Sequence, residues 1–160
     1  MSGERGKIRG QIILYYLIAA SVLLLDQVSK YCAGVFLSPG ESVPLVRGFL
    51  HLTLVYNTGA AFGLLKRHPG LFIAVAAPAA ALMAYFLARA SRALDTWEKT
   101  AVSFILGGTL GNLVDRVVYG HVIDFIDFRV WPVFNVADSF ITIGAVLLGA
   151  MIVTRGRRAK

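Results

Sequence analysis

Two aspartates, Asp124 and Asp138, combine residue type and placement in a way that suits acid–base chemistry. Asp124 falls about five residues beyond the third of four long apolar stretches, and Asp138 about one turn inside the fourth. Threading the chain back and forth through a bilayer brings both to the same depth. Neighbouring carboxylates in a low-dielectric setting do not both ionise easily. One keeps a proton and can act as an acid, while the other draws a proton from water. That pairing suits water attack on an amide, with neither a metal nor a covalent intermediate. Asp127, three residues after Asp124, competes for the first role, and a loop acid facing water is the plain alternative.

Other polar residues are concentrated near this pair. Four of the nine acidic residues lie between Gly107 and Asp138, in a chain that is otherwise poor in charge. Asn112, Asp115 and Arg116 fall on one side of a helix, at i, i+3 and i+4. Asp115 with Arg116 reads either as a scaffold pair or as an acid beside a cation that binds a carbonyl or lipid headgroup. Asp26 and Lys30, four apart on the first stretch, read either as a mutually neutralising pair or as substrate-facing groups. The histidines at 51, 68 and 121 are isolated, with no helical metal spacing. No serine sits in a nucleophile-elbow turn, and Cys32 has no evident activating base. Phe125, Phe128, Trp131 and Phe134, near Tyr119, read as an interfacial aromatic belt, with contact to substrate as the second reading.

The elements that must position these groups are membrane helices. The 160 residues are 57% hydrophobic and 16% charged, unlike a soluble domain. A single cysteine excludes an internal disulfide framework. Four stretches are long enough to span a bilayer, about 12–32, 71–90, 100–119 and 134–153, and they form a single membrane domain. The first follows Arg5, Lys7 and Arg9 like a signal peptide, but it has no small-residue cleavage site and is read as a retained helix. The third carries Ser103, Gly107 and Gly111 at spacings of four, a stripe that lets a neighbouring helix approach closely. Asn135, Asp138, Thr142, Ala145 and Gly149 suggest a similar stripe on the fourth.

Lys and Arg set the expected orientation. The N-terminus, the hinge at Arg89, Arg92 and Lys99, and the tail carry ten, whereas the opposite loops carry four (Arg47, Lys66, Arg67, Arg129). By the positive-inside rule both termini are cytoplasmic, and the active site lies near the outer leaflet. The charge of +7 is split among loops with no continuous basic face, so no nucleic acid is expected. In the first outer loop, Leu50, Leu52, Leu54 and Tyr56 alternate with polar or smaller residues, as in a strand with one buried face. The extracytoplasmic β region is placed at about 37–66, with Ala60–Leu65 lying along the membrane surface beside it.

Five blocks carry a family resemblance. Asp26-Gln-Val-Ser-Lys30, Asn57-Thr-Gly-Ala-Ala-Phe-Gly63, Gly107 through Arg116, Val122-Ile-Asp-Phe125 and Phe134-Asn-Val-Ala-Asp138 occur in the order of the type II, or lipoprotein, signal peptidases. The chain resembles that family over nearly its whole length. The resemblance implies an aspartic endopeptidase of the bacterial plasma membrane, which cleaves prolipoproteins on the amino side of a diacylglyceryl-modified cysteine. It assigns Asp124 and Asp138 as the catalytic dyad. Asn57, Asn112, Arg116 and Asn135 become substrate-positioning or dyad-orienting residues, with Asp26, Lys30, Asp115 and Gly111 in support. It implies no cofactor or metal, and its inhibitors are lipopeptides such as globomycin. A monomer in contact with membrane lipid is expected.

Two other functions fit the residues less well. A metal enzyme acting on lipid phosphates would use the same acids as ligands. A transporter would need polar groups through the depth of the bundle, whereas here they crowd one end.

Overall fold

The computed structural model describes residues 2–59, 69–89 and 94–158. The surface-lying segment expected at 60–65 and the end of the Asn57–Gly63 block lie outside the described residues. Four helices, α1 (Ser2–Phe36), α2 (Pro69–Arg89), α3 (Thr96–Tyr119) and α4 (Val136–Arg158), accompany three strands, β1 (Ser42–Val46), β2 (Leu50–Asn57) and β3 (Val122–Asp127). All four helices are long and apolar enough to cross a membrane. Leu17, Leu24, Leu82, Val146 and Ile152 point outward from them. Such a surface suits lipid, where each helix satisfies its own backbone. The chain is a multi-pass membrane protein built as the composition predicts.

α3 is the central helix. Half of its spanning window is buried, against less than a quarter for each of the others. Small residues make this possible. A side chain at Gly107 would run into the Ala19 carbonyl, and one at Gly108 would lie 2.5 Å from the Ala137 carbonyl oxygen. α1 and α4 therefore meet α3 backbone to backbone, the packing that replaces a hydrophobic drive in lipid. On α4 the contact stripe differs from the expected one. Ala137, Ile141 and Gly144 face α3, whereas Thr142, Ala145 and Gly149 are exposed. α3 also starts earlier than its apolar run, because Asp95 and Glu98 form a capping box around its first turn.

The strands form an antiparallel sheet in the order β1-β2-β3. β3 lies outside the expected β region, in a short segment that two acids make read as loop. Its pairing with β2 includes an irregularity. Leu52 opposes Ile126, but Val55 opposes Asp124, so β2 carries one extra residue. A bulge of this kind reverses which face the following side chains use. Leu54 is buried as expected, but Tyr56 comes out to solvent or lipid at 47% exposure. Phe125 also departs from the expected aromatic belt. It is buried with Ala33, Leu37 and Leu54, clamping the sheet to the end of α1.

Candidate active site

The N-terminus of α4 organises the site. The first turn of a helix leaves backbone N–H groups without partners. Here Asn135 precedes the helix, and its Oδ1 accepts from the Asp138 N–H at 2.9 Å. The Asn135 N–H points back to Asp138 Oδ2 at 3.4 Å, the reciprocal arrangement of a capping pair. The Ala137 N–H is taken by Asp26 Oδ1 of α1 at 2.8 Å. The cap leaves the amide nitrogen of Asn135 free for other partners. It donates to Asp124 Oδ1 at 2.7 Å and to Asn112 Oδ1 at 3.0 Å. One residue thus holds both carboxylates, Asp138 through the helix start and Asp124 through its side chain.

Further amides fix each acid. Asn57 donates to the second oxygen of Asp124 at 2.9 Å, and Asn112 donates to Asp138 Oδ1 at 2.7 Å. Asp124 is almost fully buried, while Asp138 keeps partial exposure. Burial pushes the Asp124 carboxyl up to about 7, and the charge of Asp138 adds to the rise. The Asn57 and Asn135 amides and the Lys30 charge act against it. A carboxyl balanced near neutrality beside a second carboxyl has the proton-sharing character that acid–base work requires.

Beneath the pair lies a buried ionic layer. Lys30 Nζ sits 2.7 Å from Asp26, 2.8 Å from Asp115 and 3.0 Å from Asn112 Oδ1. Asp115 also accepts from the Ile123 N–H at 3.1 Å, which ties β3 to α3. Gly111 leaves room for this layer, since a Cβ there would stand 2.5 Å from Asp26 Oδ2. Asp26 and Lys30 are therefore joined as a neutralising pair, with Asp115 as a third member. Arg116 does not join Asp115. Its guanidinium donates to the Asn112 carbonyl at 3.2 Å, lies 4.7 Å from the Phe72 ring centre, and forms no ion pair among the described residues. Asp138 and Asp124 are the carboxylates whose charges reach it most strongly.

Asp127 points elsewhere. Its carboxylate accepts from Thr53 at 2.8 Å and from the Arg129 N–H at 2.7 Å, closing the turn after β3. Burial works to raise its pKa, but the bonds from Thr53 and Arg129 outweigh it and leave it below the ordinary value. Among the described residues, no three His, Cys, Asp or Glu side chains group as metal donors.

A profile of signal peptidase (SPase) II matches residues 18–154. The chain belongs to the signal peptidase II family. A lipoprotein signal peptidase from Caldanaerobacter subterraneus subsp. tengcongensis is 43% identical over 140 residues, covering 87% of this chain and 95% of that one. One from Moorella thermoacetica is also 43% identical, covering 84% and 89%. A solved bacterial membrane enzyme superposes with a TM-score of 0.84 at 32% identity, covering 92% of each chain. The family is a protease family, so this signal peptidase II chain is an enzyme. One residue of its ionic layer escapes the sequence reading. Gln27 bridges Asp26, Asp115 and the Gly111 carbonyl at 2.9 to 3.2 Å. It stands inside the Asp26–Lys30 block, but a neutral amide carries no charge cost to mark it.

Proposed function

We propose that this chain removes signal peptides from prolipoproteins, cleaving on the amino side of a diacylglyceryl-modified cysteine with Asp124 and Asp138 as the catalytic dyad. The observation that carries the reading is the bonding of both carboxylates to Asn135, which fixes one acid from β3 and one from α4 around one point. Asp138, the more accessible acid, and Asp124, balanced near neutrality, together hold one proton. One acid draws a proton from water as the water attacks the scissile carbonyl. The other protonates the leaving amine. Because the two titrate as a pair, their roles belong to the dyad rather than to fixed residues.

Asn57, Asn112 and Asn135 orient the dyad through the amide bonds described above, and Arg116, which has no ion-pair partner among the described residues, binds a substrate carbonyl. Asp26, Lys30, Asp115 and Gly111 hold these groups at the ends of the helices. An apolar groove of about 490 Å³ between α1, α2 and α3, lined by Ala19, Ala80, Leu106 and Leu113, suits the hydrophobic segment of a signal sequence. The diacylglyceryl chains remain in lipid. In this reading both termini are cytoplasmic, and the dyad lies near the outer leaflet of a bacterial plasma membrane. Lipopeptides such as globomycin occupy the same site as inhibitors. The test is turnover of a diacylglyceryl-modified precursor by the purified protein. Equal cleavage of the unmodified precursor would count against the substrate assignment.

A further inference from the structure

On the reverse side of the sheet from Asn57 and Asp124 lies a second cleft of about 370 Å³ that neither proposed catalytic acid lines. Its walls come from the ends of α1 and α3 and from the sheet, and three of its rings form a cluster. The Tyr56 ring is 4.5 Å from His121, and Tyr119 is 6.1 Å from His121. Lys30, Gln27 and Asp115 form its polar floor.

Three independent features give this cleft a cation-attracting field. The floor belongs to a buried layer in which two carboxylates share one ammonium, and Asp115 is the carboxylate of that layer that lines the cleft. Both flanking helices end here, α1 at Phe36 and α3 at Tyr119, so the partial negative charge of two helix C-termini converges on the same place. No basic residue occupies the last turn of α1, and Arg116 in the last turn of α3 lies on Phe72 instead. Finally, aromatic faces attract cations, ammonium groups above all. Two of its lining side chains, Tyr31 and Val35, are exposed on the spanning helix α1, so its mouth opens beside lipid at the membrane surface.

We infer that this cleft binds the ammonium headgroup of a zwitterionic phospholipid of the ethanolamine type, at a site separate from the dyad. The headgroup nitrogen sits among the rings above the buried layer, and the acyl chains lie along α1 and α3. The site stands independently of the peptidase reading, because none of its groups is required to touch the scissile bond.

Gly34 provides the test. It lines the cleft, and a Cβ there meets nothing within 4 Å. Gly34→Lys therefore places the chain's own ammonium in the site, next to a helix C-terminus that favours it. The full-length protein is reconstituted in nanodiscs holding equal parts phosphatidylethanolamine and phosphatidylglycerol, and native mass spectrometry counts the lipids that it retains. The unmodified protein is expected to retain the ethanolamine lipid at about two- to fivefold excess. Gly34→Lys should abolish that excess while melting no lower than the parent. The Tyr56→Leu, His121→Leu pair should abolish it too, whereas Tyr56→Phe keeps it. Equal retention of the two lipids, an excess of the anionic one, or an excess that survives Gly34→Lys would overturn the assignment.

Discussion

Asn57 reaches Asp124 only because β2 carries one residue more than β3 between Leu52 and Val55. Without that residue the strand's alternation would turn Asn57 to the opposite face, and the second oxygen of Asp124 would lose its amide donor. The bulge thus converts a simple alternating strand into a positioning device for one carboxylate.

A pH dependence follows from this contact. The Asn57 amide favours the ionised form of Asp124, which burial otherwise holds up at about 7. Activity that needs one proton on the dyad should fall as pH rises past neutrality. Asn57→Ala removes a bond to the charged form, so the alkaline limb of the kcat/KM profile should move to higher pH. The rate at the optimum should drop by roughly ten- to a hundredfold from looser positioning. An unmoved limb would show that Asn57 does not act through Asp124.

Lys30 should matter most for stability. It sits between two carboxylates with almost no exposure, and Lys30→Met would leave Asp26 and Asp115 buried and unpaired. A loss of about 3–5 kcal/mol is expected. Thermal unfolding in detergent measures it, and Asp115→Asn in the same background should restore part of the loss by removing one stranded charge.

Asp127 separates the two candidate loop acids experimentally. It accepts from Thr53 of β2 and from the Arg129 N–H, which closes the turn after β3. Asp127→Asn should lower stability by about 1–2 kcal/mol while leaving kcat within a few-fold of the parent. Loss of turnover comparable to that of Asp124→Asn would reverse the assignment of roles.

Chelation distinguishes a proton-sharing dyad from a metal centre built on the same acids. Prolonged dialysis against EDTA should leave cleavage unchanged. Loss of activity on dialysis, with recovery on adding back a divalent cation, would favour the metal reading.

Much of this architecture was legible in the chain because charge is costly in lipid. An acid such as Asp26 or Asp138 stands out against apolar neighbours, and spacing alone put Asn112 and Asp115 on one helix face. What spacing could not give was pairing across the fold. Asp115 lies next to Arg116 in sequence, yet it binds Lys30 from another helix. Gln27 bears no charge to mark it, and the two acids of β3 mask a strand. The bulge in β2 is a matter of register between two strands 60 or more residues apart, which alternation within one of them does not encode. The Asp95–Glu98 capping box lies ahead of the apolar run, so hydropathy alone places the start of α3 too late.

The most direct measurement is single-turnover cleavage of a diacylglyceryl-modified precursor by purified Asp124→Asn and Asp138→Asn proteins, each checked for insertion and folded melting behaviour. Neither variant should release signal peptide above the uncatalysed background. Normal turnover by either one, in a folded protein, would contradict the two-aspartate site.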